Sequence, residues 1–388
     1  MDKEAFKNSP AGKIIDTQKG YSAFVPNPLP PKVSYDDSLV QLLSEANRNM
    51  GNLNGIGTQL PNPALLIIPY VRKEAVLSSR IEGTQTSLSE LFYFEAARKA
   101  EQKKEAGRTD VLEVFNYVKA IDYSIKRLES LPISLRLIKE IHAILMKGVR
   151  GQLLTPGEFR RSQNWIGPAG CTFNDATFVP PPVEEMKEAL GDLEKFIHNR
   201  DAIDGLIQCA AVHYQFEAIH PFLDGNGRIG RLLTILFLCE RQYLKYPLLY
   251  LSAYFERNRT QYYERLLAVS QKGDWSGWFE FFLKAIADES KDAIDNSKAV
   301  LALLDDYRRR VEQKRPSLYV FKTLDLISRN PYISIPRAAE MLKTSFHTAK
   351  AAIEKLEAMK ILRETTDKER GKIYCAEELL KIFDPPPH

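Results

Sequence analysis

Apolar positions along the chain fall into three textures. From Met1 to about Pro63 the chain is rich in Pro, Asn and Gly, and FVPNPLPPK and LPNP break any periodicity. This predicts a wrapping arm of extended turns around one short helix near Leu39 to Asn49. From Ala64 the spacing turns helical, with Ile67, Val71, Ala75 and Leu77 on one stripe. A second helix is expected to start at Ser87, because Glu90 three residues on completes a capping box. Residues 110–147 predict two amphipathic helices, with Pro132 in the LPISL turn fitting a helix start. The stretch from Gly151 to Pro182 abandons that period for short β-like runs bounded by Gly, Asn and Pro, and reads as an irregular hairpin.

Helical periodicity resumes over Val183–His198, Gly205–Ile219, Ile229–Leu244, Tyr254–Gln271 and Trp275 to about Leu304. After Arg315 the pattern is helix (Leu318–Arg329), short helix (Ile335–Leu342), turn (Lys343–Ser345), longer helix to about Met359, then a hairpin turning at Gly371. That order predicts a winged helix-turn-helix. The expected fold class is mainly α, a helical bundle with a small β-hairpin flap followed by a winged-helix domain. The expected divisions are an arm (1–63), a helical segment (64–105), a core (106–290), a linker helix (291–315) and the winged helix (316–388).

Composition narrows the classes without choosing one. With 44% apolar and 27% charged residues the chain is an ordinary folded protein, not a disordered or collagenous one. A formal charge of +4 over 388 residues gives no global case for nucleic acid. The C-terminal segment from Arg315 holds 13 Lys and Arg against 10 Asp and Glu, a weak local excess. His347, Lys350 and Lys355 on the would-be recognition helix can meet phosphates, but Glu354 and Glu357 share it. The four cysteines, Cys171, Cys209, Cys239 and Cys375, form no CxxC pair and read as reduced thiols. No apolar run approaches a membrane span and no leader is evident, so the expected location is cytoplasmic, without membrane contact.

The chemistry concentrates in IHPFLDGNGRIGR, residues 219–231. Gly225 and Gly227 let successive backbone N–H groups face one concavity, and the helix that follows adds its positive end, making an anion cradle. Arg228 and Arg231, three residues apart, share a helical face where guanidinium groups can hold phosphate oxygens in pairs. Asp224 is a hard oxygen ligand suited to a phosphate-bridging Mg2+. His220 is the nearest base in sequence and can take a proton from an incoming hydroxyl. Together these residue types suit nucleotidyl transfer. No Walker A string occurs, which argues against a P-loop NTPase.

The string HPFLDGNGRIGR, residues 220–231, resembles the HxFx(D/E)GNGRxxR signature of the Fic family at every defined position. That resemblance implies a Fic-type helical bundle and an enzyme that transfers AMP from ATP to Ser, Thr or Tyr of proteins, itself included. It implies His220 as general base, Phe222 as the anchor of the loop, Asp224 as the Mg2+ ligand and Asn226 as a phosphate contact. Arg228 would hold the α- and β-side oxygens and Arg231 the γ-phosphate, with Gly225 and Gly227 completing the cradle. A related phosphate-transferring subgroup departs from the GNGR part, which this chain keeps whole.

SSRIEG, residues 78–83, resembles the family's inhibitory motif (S/T)xxxE(G/N). The resemblance implies that Glu82 pairs with Arg231 and blocks the productive ATP pose, with Ser78 and Gly83 setting the helix end. The same glutamate can activate water, so hydrolytic removal of AMP is an alternative activity. ATFVPPP, residues 176–182, resembles the family flap, making Thr177, Phe178 and Val179 candidates to dock a target by strand-like pairing. Tyr254, Asn258 and Tyr262 fall in the region that borders the adenine in the family. His213, Phe216, Trp275 and Trp278 read as core residues by their i, i+3 spacing. The expected partners are a protein bearing a hydroxyl side chain, a second copy of this chain, and weakly DNA. The rival reading is a DNA-binding regulator whose Fic-like part only senses a nucleotide.

Overall fold

The computed structural model describes the chain except Lys19, Pro61, residues 98–108, Gln152, Ala169, 315–316, 367–370 and 385–388. The expected boundary after residue 105, the end of the linker at Arg315 and part of the C-terminal hairpin lie outside the described residues. Two compact units form, each discontinuous in sequence. The first comprises residues 1–52, 116–245 and 251–290, and the second residues 53–115, 246–250 and 291–388. Among the described residues no helix is long and apolar enough to cross a membrane, and the four cysteines are free.

The N-terminal arm is more regular than its prolines suggest. Strands β1 (Gly12–Asp16) and β2 (Ser22–Pro26) form an antiparallel hairpin, pairing Ile14 with Phe24. The helix expected near Leu39 runs as α1 from Asp37 to Gln59. Helices α2 (Ala64–Ile81) and α3 (Leu88–Ala96) follow, and Ser87 with Glu90 forms the expected capping box. Helix α4 covers Thr109–Arg127 and α5 covers Leu135–Leu145. The start of α5 is set by Ser134, whose hydroxyl accepts from the Leu137 N–H, and not by Pro132, which stays in the turn.

In the first unit α6 (Val183–His198), α7 (Gly205–Ile219) and α8 (Asn226–Glu240) carry the core. Asp204 caps α7 through the Leu206 and Ile207 N–H groups. Helix α7 is buried almost all round, so its neighbours enclose it. At Gly230 an added Cβ would fall 2.3 Å from the Glu217 carboxylate, so the glycine lets α8 lie close against α7. Helices α9 (Ser252–Arg257) and α10 (Arg259–Lys272) break apart at Asn258 where one helix was expected. The long α11 (Trp275–Glu312) then begins, with Trp278 fully buried and its indole N–H donating to the Ala210 carbonyl.

The second unit gathers α2, α3 and the C-terminal elements. These are α12 (Leu318–Arg329), β3 (Tyr332–Ser334), α13 (Ile335–Leu342), α14 (Phe346–Ala358), β4 (Arg363–Glu364), β5 (Ile373–Cys375) and α15 (Glu377–Phe383). The three strands make an antiparallel sheet in the order β3-β5-β4. The Ser334 hydroxyl donates to the Ala96 carbonyl and the Asn330 amide to the Phe92 carbonyl, joining β3 and the end of α12 to α3.

Candidate functional site

His220 ends α7 with φ 49° and ψ 60°, left-handed geometry that a non-glycine residue adopts at a cost of about 1–2 kcal/mol. The surroundings hold it there. Its carbonyl accepts from the Arg160 Nε–H at 3.0 Å and the Asn164 amide at 3.2 Å. Arg160 is 1% exposed and spends its other donors on the Ser162 and Pro181 carbonyls. Burial pulls its guanidinium down to about 10. One side chain thus ties the histidine's backbone to the segment leading out of the flap. Replacing Arg160 with Met orphans the Ser162 and Pro181 carbonyls at about 1–3 kcal/mol each and leaves the His220 carbonyl to Asn164 alone. We expect Arg160→Met to cost about 3 kcal/mol or more in urea unfolding, with Arg160→Lys in between; an unchanged midpoint would remove this role.

The imidazole has its own orientation. Its Nδ1 lies 3.2 Å from the Glu217 carbonyl. A carbonyl only accepts, so Nδ1 carries the hydrogen and Nε2 keeps its lone pair. The ring is therefore set as a base through Nε2.

The loop that follows is closed from inside. The Phe222 N–H donates to the Asn226 side-chain oxygen, and the Asn226 amide donates to the Phe222 carbonyl, both at 2.8 Å. Asn226, expected as a phosphate contact, has its side chain turned to the loop and 2% exposed, so what this position offers an anion is its backbone N–H. Gly225 caps α8 with φ 81°, and α8 starts a turn earlier than the Ile229 read from the sequence. That earlier start leaves the N–H groups of Asn226, Gly227 and Arg228 without intrahelical acceptors, at the positive end of a 15-residue helix. Arg228 and Arg231 are 4% and 3% exposed. The Arg228 guanidinium lies 3.5 Å from the Asp224 carboxylate and 3.7 Å from the Met146 sulfur. Asp224 stays 40% exposed and accepts the Gly225 N–H at 2.6 Å. A Cβ at Gly151 would fall 2.6 Å from its other oxygen, so that glycine makes room for the carboxylate.

A second histidine, which sequence reading passed over, braces this loop. His142 on α5 stacks on Phe222 with ring centres 3.7 Å apart and planes 7° from parallel. Its Nδ1 accepts the Gly157 N–H at 2.8 Å, so its Nε2–H donates to the Asp224 carbonyl at 3.0 Å. Burial pulls its imidazolium down to about 4. Arg160, Asn164 and His142 lie 56 to 82 residues from their partners in the loop. Their signal in the sequence is slight: long donors inside a Gly- and Pro-rich stretch, where carbonyls lack regular partners.

The other expected residues divide. Phe178 and Val179 are 6% and 1% exposed, and Phe178 packs on Phe6 and Phe24. Their backbones are already paired, Phe178 with Ile166 and Val179 with the Phe24 N–H. Only Thr177 of the three faces solvent, and the expected hairpin reduces to one bridge, because the N-terminal hairpin covers the flap. Tyr262 is 1% exposed, stacks on Phe255 and bonds the His213 ring at 2.8 Å, a core role in place of the expected adenine contact. Tyr254 and Asn258 are half-buried, and the Asn258 amide donates to the Tyr254 carbonyl. His213 bonds Tyr262 and the Gly230 carbonyl and is fully enclosed, as its spacing predicts. In the second unit, Ser78 is buried on α2, Glu82 is exposed at its C-cap, and Gly83 ends the helix with φ 96°.

The chain is 28% identical over 201 residues to a probable protein adenylyltransferase of Aquifex aeolicus, a stretch covering 50% of this chain and 53% of that one. It is 30% identical over 165 residues to the protein adenylyltransferase Fic of Aedes aegypti, covering 42% of this chain and 29% of that protein. The match therefore spans about half or less of the relatives' length. Among solved structures, a Fic family protein from Desulfovibrio desulfuricans shares the fold, with a TM-score of 0.56 and 20% identity over 90% of this chain and 98% of that one. Residues 40–126 match the profile described as Fic/DOC family N-terminal, and residues 132–238 the profile of the Fic/DOC family. On these matches the chain carries the N-terminal and core domains of the Fic/DOC family.

Proposed function

We propose that this chain is a protein adenylyltransferase that moves AMP from ATP onto a Ser, Thr or Tyr hydroxyl of a protein, itself included. The observation that carries the reading is the pairing of two features across one loop. His220 has its Nε2 lone pair set by the Glu217 carbonyl, and the open N-terminus of α8 follows with Arg228 and Arg231 buried beside it. A polyphosphate suits that helix end, where backbone N–H groups and two guanidinium groups offset its charge. The His220 Nε2 then takes the proton as the hydroxyl oxygen attacks the α-phosphorus. The bond to the β-phosphate oxygen breaks, and pyrophosphate leaves.

Asp224 is the residue that would hold a Mg2+ accompanying ATP. Among the described residues no cluster of three or more His, Cys, Asp or Glu could hold a metal, and Asp224 offers one half-exposed carboxylate beside the cradle. When bound with ATP, Mg2+ supplies neutralisation of phosphate charge. Incubation with ATP labelled at the α-phosphate and a lysate tests the reading. Protein-bound label is expected, with one AMP of added mass on each target; label found only on free nucleotide would defeat it.

The restraint is assigned to Glu82 with Ser78 and Gly83, which α2 places at its C-terminal turn. A carboxylate that pairs with Arg231 removes the cation meant for the γ-phosphate. Glu82→Gly is expected to raise AMP transfer at least tenfold in the labelled assay. A rate within twofold of the parent would remove the restraint from the account. The C-terminal elements are assigned to a winged helix, supported by the order helix, strand, helix, helix, strand, strand from α12 to β5. Its recognition helix would be α14. Lys350 there lies 3.5 Å from Glu354, which weakens the phosphate-facing charge and favours a protein partner over DNA.

A further inference from the structure

The second unit encloses a cavity of about 640 Å³, a size that takes a drug-sized molecule. Its walls come from α2, α3, α12, β3 and α13, with Phe115 closing one side. Most of the lining is apolar, including Ile68, Leu326, Tyr332 and Met341. The polar groups in it are unevenly matched. Arg72 and Glu95 form a two-point pair at 2.9 and 3.0 Å, 14% and 13% exposed, and neutralise each other. Arg337, also in the lining, sits 2.8 Å from Glu340. Arg329 is different: its Nε is buried and has no hydrogen-bond acceptor among the described residues. The lining thus holds three arginines against two glutamates, one cation in excess. A buried donor left without an acceptor is unfavourable, more so when charged, and a ligand oxygen would satisfy it.

We infer that this cavity binds a small organic acid, an apolar, ring-sized body with one carboxylate on Arg329, and that its occupancy acts on α2. The second part rests on the reading of Glu82 as a restraint. Ile68 and Arg72 form the α2 wall of the cavity one helical turn apart, and Glu82 caps the same helix about 15 Å further on at ~1.5 Å per residue. Pro69 lies inside α2 between those two wall residues, where it removes one backbone hydrogen bond and makes this turn the pliable point of the helix. A body pressed against Ile68 and Arg72 bends α2 there and moves the turn that carries Glu82. The ligand class follows from the lining: apolar walls with aromatic edges at Phe115 and Tyr332, and one guanidinium whose buried Nε–H has no acceptor among the described residues.

The test uses 1-naphthoate and its uncharged counterpart 1-naphthamide as probes, with saturation-transfer NMR and calorimetry on the full chain. Naphthoate is expected to bind, and naphthamide at least tenfold more weakly. Arg329→Leu should lose the naphthoate binding at least tenfold, and Met341→Trp, which adds bulk to the lining, should lose both probes. No binding of naphthoate, or equal binding to the Arg329→Leu protein, overturns the site. In the labelled-ATP assay naphthoate should raise transfer at least threefold in the parent and leave Glu82→Gly unchanged. Binding without any change of rate in the parent overturns the coupling to α2. A Glu82→Gly rate within twofold of the parent's, both measured without naphthoate, defeats the restraint reading instead, and the binding results stand apart from it.

Discussion

His220→Ala is expected to lower AMP transfer by about a thousandfold while the fold and ATP binding persist, the base itself supplying roughly 10²–10⁴ of the rate. The asymmetry follows from how the site is built. The proposed polyphosphate grip is the α8 N-terminus with Arg228 and Arg231, none of which depends on the imidazole for its place. The His220 backbone is held through its carbonyl by Arg160 and Asn164, and these bonds survive loss of the ring. What disappears is the Nε2 lone pair that the Glu217 carbonyl sets by taking the Nδ1 hydrogen. Alanine at φ 49° keeps some strain, so a melting temperature within a few degrees of the parent is the expected stability result. The comparison belongs in the Glu82→Gly background, where the proposed restraint would not mask the rate. Transfer within tenfold of that background would show that another group takes the proton, and a parallel loss of ATP binding would show that the ring supports the cradle.

Much of the fold is legible because its boundaries are local. Helices α6, α7, α12 and α13 fall at their expected residues, each bounded by a chemical punctuation mark: Pro182 before α6, Asp204 before α7, Ser317 before α12, Lys343 in left-handed geometry after α13. Several misreadings share a cause, which is that a neighbour distant in sequence decided. Gly51, Gly55 and Gly57 suggest an early stop for α1, yet the helix runs on past them, and a Cβ at Gly57 would fall 2.7 Å from Leu248. There glycine marks close packing and not a break. The β1–β2 hairpin escapes notice because its strands are five residues each, one of them ending on a proline. In the candidate site the loop residues are readable as a string, since a glycine-flanked helix start has few other uses. The supports are not. Arg160, Asn164 and His142 act on carbonyls and on a ring, contacts for which no spacing rule exists, and the burial of Phe178, Val179 and Tyr262 is likewise set by distant neighbours.

Acidification is expected to destabilise the first unit steeply between pH 6.5 and about 4, and two buried histidines account for it. Burial pulls the His142 imidazolium down to about 4 and that of His213 to about 3, against roughly 6.5 in an unfolded chain. Above pH 6.5 both rings are neutral whether folded or not, and their contribution to stability is complete. Below it the unfolded chain binds protons that the folded one refuses, so unfolding gains about 1.4 kcal/mol per pH unit per histidine. At pH 4.5 the two together remove on the order of 5 kcal/mol, comparable with the whole stability of many domains. The folded rings cannot easily take a second hydrogen. The Nδ1 of His142 receives the Gly157 N–H, and the Nε2 of His213 lies 2.8 Å from the Tyr262 hydroxyl while its Nδ1 faces the Gly230 carbonyl. Trp165, Trp275 and Trp278 all lie in this unit, so urea unfolding followed by fluorescence reports on it directly. The parent should lose several kcal/mol between pH 7.5 and 4.5. The double variant His142→Gln, His213→Gln should be less stable at pH 7.5 but lose little more on acidification, since neither replacement titrates. A parent curve flat over that interval would mean the rings are protonated in the native state, and the hydrogen bonds that orient Asp224 and α8 would then have to be redrawn.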